Sequence, residues 1–323
     1  MSRDPSSARI LLTGDYPVLE STFFNEVKAV REREPFDSLL VLVSSKLLGL
    51  HLRRLLVEQG VAHFNLRFWT LEEFARQVST SNLLSQGKTE LPSHADELLV
   101  GNIVKSLAEQ NQDFYFHDIA DRQGFHRAIL ATFRDLKDAC LLPADLERIL
   151  GDAKIGKQVH LQKLKDLLKI WKAYEERFKG LNGYDESDLM MSAYQWAKDS
   201  ICLKQTPKMV VYGFYDFNTV QKRLLQACMN EKETIVFLPY ESTHAFEFVK
   251  PTIKWLKDNG FKETCAEMPE PEKRRAPLDH LCHHLFNSGE NIEPFYQRTL
   301  QISPTIGRVE YLGWKGSNPP QCL

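Results

Sequence analysis

The stretch MVVYGFYDFNTVQKRLLQAC, Met209 to Cys228, reads as a short buried strand, a turn and an amphipathic helix. Met209, Val210, Val211 and Tyr212 form an unbroken apolar run rich in β-favouring side chains, the pattern of a strand covered on both faces. Gly213 interrupts it. Asn218 can cap the helix that follows, on which Val220, Leu224, Leu225 and Cys228 share one face.

Further strand–helix units lie on either side. Upstream, Arg9 to Thr13 reads as a first buried strand, and Gly14-Asp15-Tyr16-Pro17 turns into a helix with Leu19, Phe23, Phe24 and Val27 inside. Ser38 to Val43 is a second strand. Ser44-Ser45-Lys46 leads into a helix with Leu48, Leu52, Leu55 and Leu56 on its inner face, ended by Gly60. Val61 to Phe68 is a third strand candidate. Thr70 to Glu73 is a capping box, with Trp69 and Phe74 placed as a hydrophobic staple. Downstream, Thr234 to Leu238 is another strand, and a last helix runs to Lys257 with Asn259-Gly260 as its stop. Strands alternating with helices predict a parallel α/β sheet.

The texture differs in between. Ser79 to Ser93 reads as a polar linker. From His94 to Lys204 the period is helical, with stripes at Phe125, Ile129, Phe133 and Leu136, at Leu164, Leu168, Trp171 and Phe178, and at Leu189, Met190, Ala193, Tyr194 and Ala197. The predicted organisation is an α/β domain over residues 1–93 and 206–260, a helical insertion over 94–205, and a linker and tail over 261–323. The first eight residues are polar, and Gly313 to Leu323 shows no period.

Composition sets limits. The chain has 323 residues, 43% of them hydrophobic and 26% charged, enough for a large core and against wholesale disorder. A net charge of -2 means that a nucleic-acid partner would need a local basic surface. The six cysteines are scattered with no CxxC pair, which reads as reduced thiols. No basic-then-apolar leader and no bilayer-length apolar run is present, so the predicted location is cytoplasmic and no membrane partner is expected.

A strand that runs into a glycine and then a helix is where a phosphate-binding loop, GxxxxGK[ST], would sit. Counted from Gly14, Leu19 stands at the second glycine, Glu20 at the lysine and Ser21 at the hydroxyl residue. A carboxylate in place of the lysine would repel a triphosphate. The blander reading is a strand, a turn and a helix that share a glycine. Arg53-Arg54 beside Lys46 makes a basic helix face, which a solvated surface also explains. His280, Cys282, His283 and His284 are too crowded on one short helix to converge on a metal, so no metal is expected. Asp185, Glu186 and Asp188 precede an apolar helix, and capping accounts for them. Spacing supports no Ser-His-Asp or Cys-His arrangement, and no catalytic residue is assigned.

The order strand, loop, helix, strand, SSK, helix, strand, FWT, helix, helical insertion, strand with VYGFYD, helix and strand resembles the first ATPase-like half of UvrD-type helicases of superfamily 1. The phrases LVLVSSKLLGLHLRRLL, FNLRFWTLEEFAR, LKDACLLPADL, GYDESDLM and VYGFYDFNTVQKRLLQA before IVFLP resemble more closely the AddB-type subunit of bacterial helicase–nucleases and its PD-(D/E)XK nuclease relatives. The likeness spans residues 9–260. It implies a P-loop-NTPase-like, 1A-like α/β domain with an all-helical, 1B-like insertion. Such helicases carry VDEFQD on the strand that opens this section, with an Asp-Glu pair for magnesium and water. Here the frame reads VYGFYD, with Tyr212 at the Asp position, Gly213 at the Glu position, and Phe214 and Asp216 kept.

Three implications follow. Gly14, Leu19, Glu20, Ser21, Tyr212, Gly213 and Asp216 would be a degenerate nucleotide site, with no cofactor and no ATP hydrolysis. Ser44, Ser45, Lys46, Phe68, Trp69 and Thr70 would stand where such helicases touch single-stranded DNA, although a helix N-terminus and a staple explain most of them without a ligand. The partners would be single- or double-stranded DNA and an active UvrD-like helicase subunit, in double-strand-break repair. The nuclease centre of such relatives lies further toward the C-terminus. No strand here carries Asp followed by (D/E)xK, and no iron–sulfur cysteine set is present. Nuclease activity is therefore not expected, and the chain reads as interrupted before that part, with residues 313–323 as a non-native tail. The alternatives are the N-terminal part of an exonuclease subunit whose catalytic domain lies beyond this chain, and an α/β binding protein unrelated to DNA. The vacated pocket requires Arg9–Thr13 to neighbour Met209–Tyr212 in the sheet.

Overall fold

The computed structural model describes residues 9–61, 64–92, 94–151, 161–230, 232–240 and 244–265. The region of His280 to His284 and the 313–323 tail lie outside them.

The chain opens with β1 (Arg9–Gly14), α1 (Tyr16–Arg33), β2 (Leu39–Val43), α2 (Lys46–Glu58), β3 (Leu66–Trp69) and α3 (Leu71–Ser85). A two-residue β4 (Thr89–Glu90) leads to helices α4 (Ala95–Gln110), α5 (Gln123–Asp138), α6 (Pro143–Leu150) and α7 (Leu161–Gly180). Then come β5 (Gly183–Tyr184), α8 (Glu186–Trp196), α9 (Ile201–Lys204), β6 (Lys208–Tyr212), α10 (Thr219–Met229) and β7 (Glu233–Pro239). A 3-10 helix (His244–Val249), α11 (Lys250–Asp258) and β8 (Lys262–Cys265) complete the described residues.

The main sheet has six strands in the order β3-β2-β6-β7-β1-β8, and every neighbouring pair is parallel. The fold is therefore α/β, as the alternating strands and helices predict. Alternate residues feed opposite faces. Leu39, Val41, Val43, Val210, Tyr212, Ile235 and Phe237 meet α1 and α2, through Leu19, Phe23, Leu52 and Leu56. Leu40, Leu42, Met209, Val211, Val236 and Leu238 meet α3, α8, α10 and α11.

One expectation is corrected. β1 does not neighbour β6: β7 lies between them, with Val236 opposite both Leu11 and Val211. The reason is burial. Thr234 to Pro239 is buried along its whole length, so β7 takes a central place where both edges are paired. β8, all four residues exposed, closes the far edge.

The linker expected over Ser79–Ser93 is also corrected. α3 continues to Ser85, and Ser79 is fully buried, its hydroxyl donating to the Leu189 carbonyl at 3.2 Å. A small hydroxyl residue lets α3 and α8 pack closely, so polar composition here marks a helix contact. The third strand begins later than predicted, at Leu66, because Phe64 is exposed and Asn65 takes a positive φ of 56°.

Helices α4 to α7 surround a core of their own, where Phe133 and Trp171 stack with ring centroids 5.6 Å apart. α8 and α9, which share the helical period of that block, instead contribute Leu189, Met190, Ala193, Cys202 and Leu203 to the core on the sheet. The end of α5 fastens the two bodies. Asp138 accepts from the Ser187 hydroxyl at 3.1 Å and the Asn218 amide at 3.0 Å. The buried Lys137 ammonium donates to Asp185 at 2.8 Å and lies 3.4 Å from Asp188 and 3.3 Å from Glu175.

Candidate nucleic-acid interface

The carboxyl ends of β1, β6 and β7 meet where a nucleotide would be expected. β1 ends at Gly14, and α1 begins at Tyr16, so no loop intervenes. The Asp15 carboxylate accepts from the Val18 N–H at 3.1 Å. A helix N-terminus attracts anions because its first N–H groups lack partners. Here a carboxylate of the chain itself occupies that position. Leu19, Glu20 and Ser21 lie within α1 rather than in a phosphate-binding loop, which corrects the loop count made from Gly14. Leu19 is fully buried. Glu20 lies 2.7 Å from His51 Nε2 on α2.

Tyr212 fills the space between. Its ring packs edge-on against Phe23 at 5.6 Å and parallel to Phe237 at 5.3 Å, with no exposed surface. Its hydroxyl is buried without a hydrogen-bond partner. Burial, then the nearby Glu20 and Tyr16, push its pKa far above the ordinary phenol value. Gly213 follows with φ +79°, and its N–H donates to the Phe237 carbonyl at 3.0 Å. A Cβ there would lie 2.5 Å from Leu48 Cδ2 and 3.3 Å from Ser44 Oγ. At the position that the resemblance equates with a catalytic glutamate, a methyl group would therefore have to displace the end of the Leu48 side chain and hold a positive φ. Asp216 is exposed beyond the turn. Among the described residues no group of three His, Cys, Asp or Glu side chains could hold a metal ion.

The edge over β2 and β3 is open. A groove of about 330 Å³ runs between α2 and β3, lined by Lys46, Leu50 and Arg53 on one side and Phe68, Trp69 and Glu73 on the other. Gly49 allows the approach: a Cβ there would sit 3.3 Å from Val43 Cγ2. The six residues read from the sequence divide. Ser45 caps α2, its hydroxyl accepting from the Leu48 N–H at 3.2 Å. Thr70 caps α3 in a reciprocal box with Glu73, at 3.2 and 3.0 Å. Trp69 packs on Phe74 at 6.5 Å, the expected staple. Phe68 is buried, so it offers no face to a base.

What faces solvent is Ser44, Lys46 and one side of the half-buried Trp69. The Lys46 side chain is 73% exposed, 3.4 Å from Glu73. Arg53 is exposed, in keeping with a solvated face, and its guanidinium also lies 5.2 Å from the Phe68 ring centroid, at the groove. Lys46, Leu50 and Arg53 share a helix face, and that spacing carried the signal. Arg67, which is not among the residues lining the groove, lies 5.7 Å from the Trp69 ring centroid and donates to the Cys202 sulfur at 3.1 Å. The groove thus combines cations with one accessible aromatic ring, the combination that tracks phosphates and stacks bases.

The acidic trio at α8 is a cap. Asp185 accepts from the Asp188 N–H at 2.8 Å, and Asp188 from the Asp185 N–H at 3.2 Å. Burial, with the Asp185 charge beside it, pushes Asp188 up to about 6, with Lys137 pulling the other way.

Comparison with protein families matches residues 23–252 to the family described as ADDB, N-terminal. No curated protein matches the chain.

Proposed function

We propose that this chain, which belongs to the AddB N-terminal family, is a helicase-like module that handles DNA without hydrolysing ATP. The family links it to AddB-related helicase–nuclease subunits and to DNA repair and recombination. In this reading the strand carrying Tyr212 and the turn after β1 are the remains of a nucleotide site. β7 separates the two strands, but the Tyr212 ring packs on both Phe23 of α1 and Phe237 of β7 and so bridges the two strand ends. The observation that carries it is Gly213. Its positive φ of 79°, with a Leu48 methyl 2.5 Å from the place of a Cβ, disfavours a carboxylate side chain there. The Asp15 carboxylate on the α1 N-terminus repels phosphate as well. Phosphoryl transfer needs positioned positive charge and a metal, and the residues at these positions supply neither.

The groove between α2 and β3 then holds single-stranded DNA, with Trp69 stacking a base and Lys46 and Arg53 beside the phosphates. The module works beside an active UvrD-like helicase subunit in double-strand-break repair, in the cytoplasm. The sheet carries the groove, and α4 to α7 form an inserted subdomain. No helix among the described residues is long and apolar enough to cross a membrane.

Two assays on the purified chain test this. Phosphate release from ATP, with and without single-stranded DNA, should stay at the enzyme-free background. Turnover above background that disappears in Ser21→Ala would overturn the hydrolysis claim. A labelled oligothymidylate should bind with an affinity that falls as salt rises. Binding that ignores Lys46→Ala, Arg53→Ala and Trp69→Ala together would remove the groove assignment. A second reading makes the same module the N-terminal part of a nuclease subunit, which the family description favours.

A further inference from the structure

The open groove contains a carboxylate as well as its cations. Glu73 lines it opposite Lys46 and Arg53. It is the third residue of α3, and the capping box fixes where its side chain sits. One oxygen, Oε2, accepts from the Thr70 N–H at 3.0 Å, while the Thr70 hydroxyl accepts from the Glu73 N–H at 3.2 Å. The other oxygen, Oε1, lies 3.4 Å from the Lys46 ammonium. The ion pair therefore crosses the groove, from the start of α3 to the start of α2.

This makes the two groove cations unequal. Arg53 packs on the Phe68 ring and has no ion-pair partner among the described residues. Lys46, 73% exposed, is opposed by Glu73, which is 36% exposed. An ion pair this open to water is weak enough for a phosphate to break. A phosphate that takes Lys46 then lies beside the carboxylate it displaced. An ordinary surface glutamate would swing away from that repulsion. Glu73 cannot do so without giving up its bond to the Thr70 N–H. Weak, exchangeable contact of this kind suits a strand that passes along the groove rather than staying in it.

We propose that Glu73 is a pinned competitor for Lys46, which it must yield to an entering phosphate, and that this competition sets how tightly the groove binds a strand. Glu73 is thus a positioning residue, acting through Lys46. The inference rests on the reading of the groove as a single-strand site and adds to it the residue that weakens binding.

The test measures labelled oligothymidylate binding to the full chain, with Glu73→Gln and Lys46→Ala made singly and together, over a range of salt. Glutamine still closes a capping box, so the start of α3 is kept. Glu73→Gln should tighten binding about threefold to tenfold at low salt, with the gain fading as salt screens the groove. In the Lys46→Ala background the same change should gain about twofold or less. A weakened cap would act on both backgrounds alike, so the difference between them reads the competition alone. Glu72→Gln, on a neighbour that pairs with Arg76 at 3.3 Å and does not line the groove, should leave affinity unchanged.

Unchanged affinity in Glu73→Gln, while Lys46→Ala, Arg53→Ala and Trp69→Ala together still abolish binding, would overturn this inference and leave the groove assignment standing. Equal gains in both backgrounds, or as large a gain from Glu72→Gln, would make Glu73 one diffuse charge among others and overturn it too. No binding by any of these proteins, or binding indifferent to the groove variants, would remove the groove assignment and this inference with it.

Discussion

The two halves of the sheet's carboxyl edge differ in what a glycine does. At Gly49 the missing side chain lets α2 settle against Val43 and Phe68 while a groove stays open above Trp69. At Gly213 the missing side chain is replaced outright, because Leu48 of the same helix occupies the space. α2 is the common wall. One of its faces seals the end of β6, and the next presents Lys46, Leu50 and Arg53 to solvent. On the proposed reading, the contrast teaches that closing a nucleotide site need not damage the fold around it. An aromatic ring from the strand and a leucine from the neighbouring helix suffice.

The strongest attempt to break this contrast puts a carboxylate back on β6. Tyr212→Asp buries a charge between Phe23 and Phe237 and leaves a cavity, and should cost more than about 4 kcal/mol in urea unfolding. Retained stability would mean the pocket is still open. Gly213→Ala comes next, with a steric clash and a positive φ together, at about 3 kcal/mol. On the open half, Trp69→Ala should lower oligothymidylate affinity by about 1–3 kcal/mol with an unchanged salt slope. The accompanying loss of the staple on Phe74 is read separately from the unfolding midpoint. Lys46→Ala should weaken binding only a few-fold but flatten the slope of log K against log salt by about 0.7. Tyr212→Phe, the gentlest change, removes a buried hydroxyl that has no partner and should leave stability unchanged or raise it by up to about 1 kcal/mol. A large loss would mean that the hydroxyl is bonded in solution.

The sequence makes much of this legible, because apolar runs such as Leu39–Val43 and Met209–Tyr212 are buried on both faces and have no other use. Caps at Ser45, Thr70, Asp185 and Asn218 were readable for the same reason: their side chains serve local N–H groups a few residues on. Strand order was not readable locally. β1 and β7 have similar apolar patterns, and which of them sits beside β6 depends on how crossovers pack over the whole sheet. β8, Lys262–Cys265, has no apolar run to announce it and is defined only by pairing with β1. Ser79 was misread because a hydroxyl that meets a carbonyl across a helix contact looks, in one dimension, like a solvated residue. In the candidate site, the family resemblance pointed to Lys46 and Trp69, and both line the groove. It did not distinguish Phe68, whose burial follows from facing α1 and α2 across β3.

The contact between Leu48 and Gly213 also has a historical meaning. A side chain at position 213 has to displace the end of the half-buried Leu48 and adopt a positive φ at the same time. A step of about 3 kcal/mol is a sizeable fraction of the margin that keeps a domain folded. On the proposal that β6 once carried a metal-holding carboxylate, this packing acts as an evolutionary ratchet: regaining that site would demand coordinated change on β6 and α2 at once, whereas the groove can drift freely.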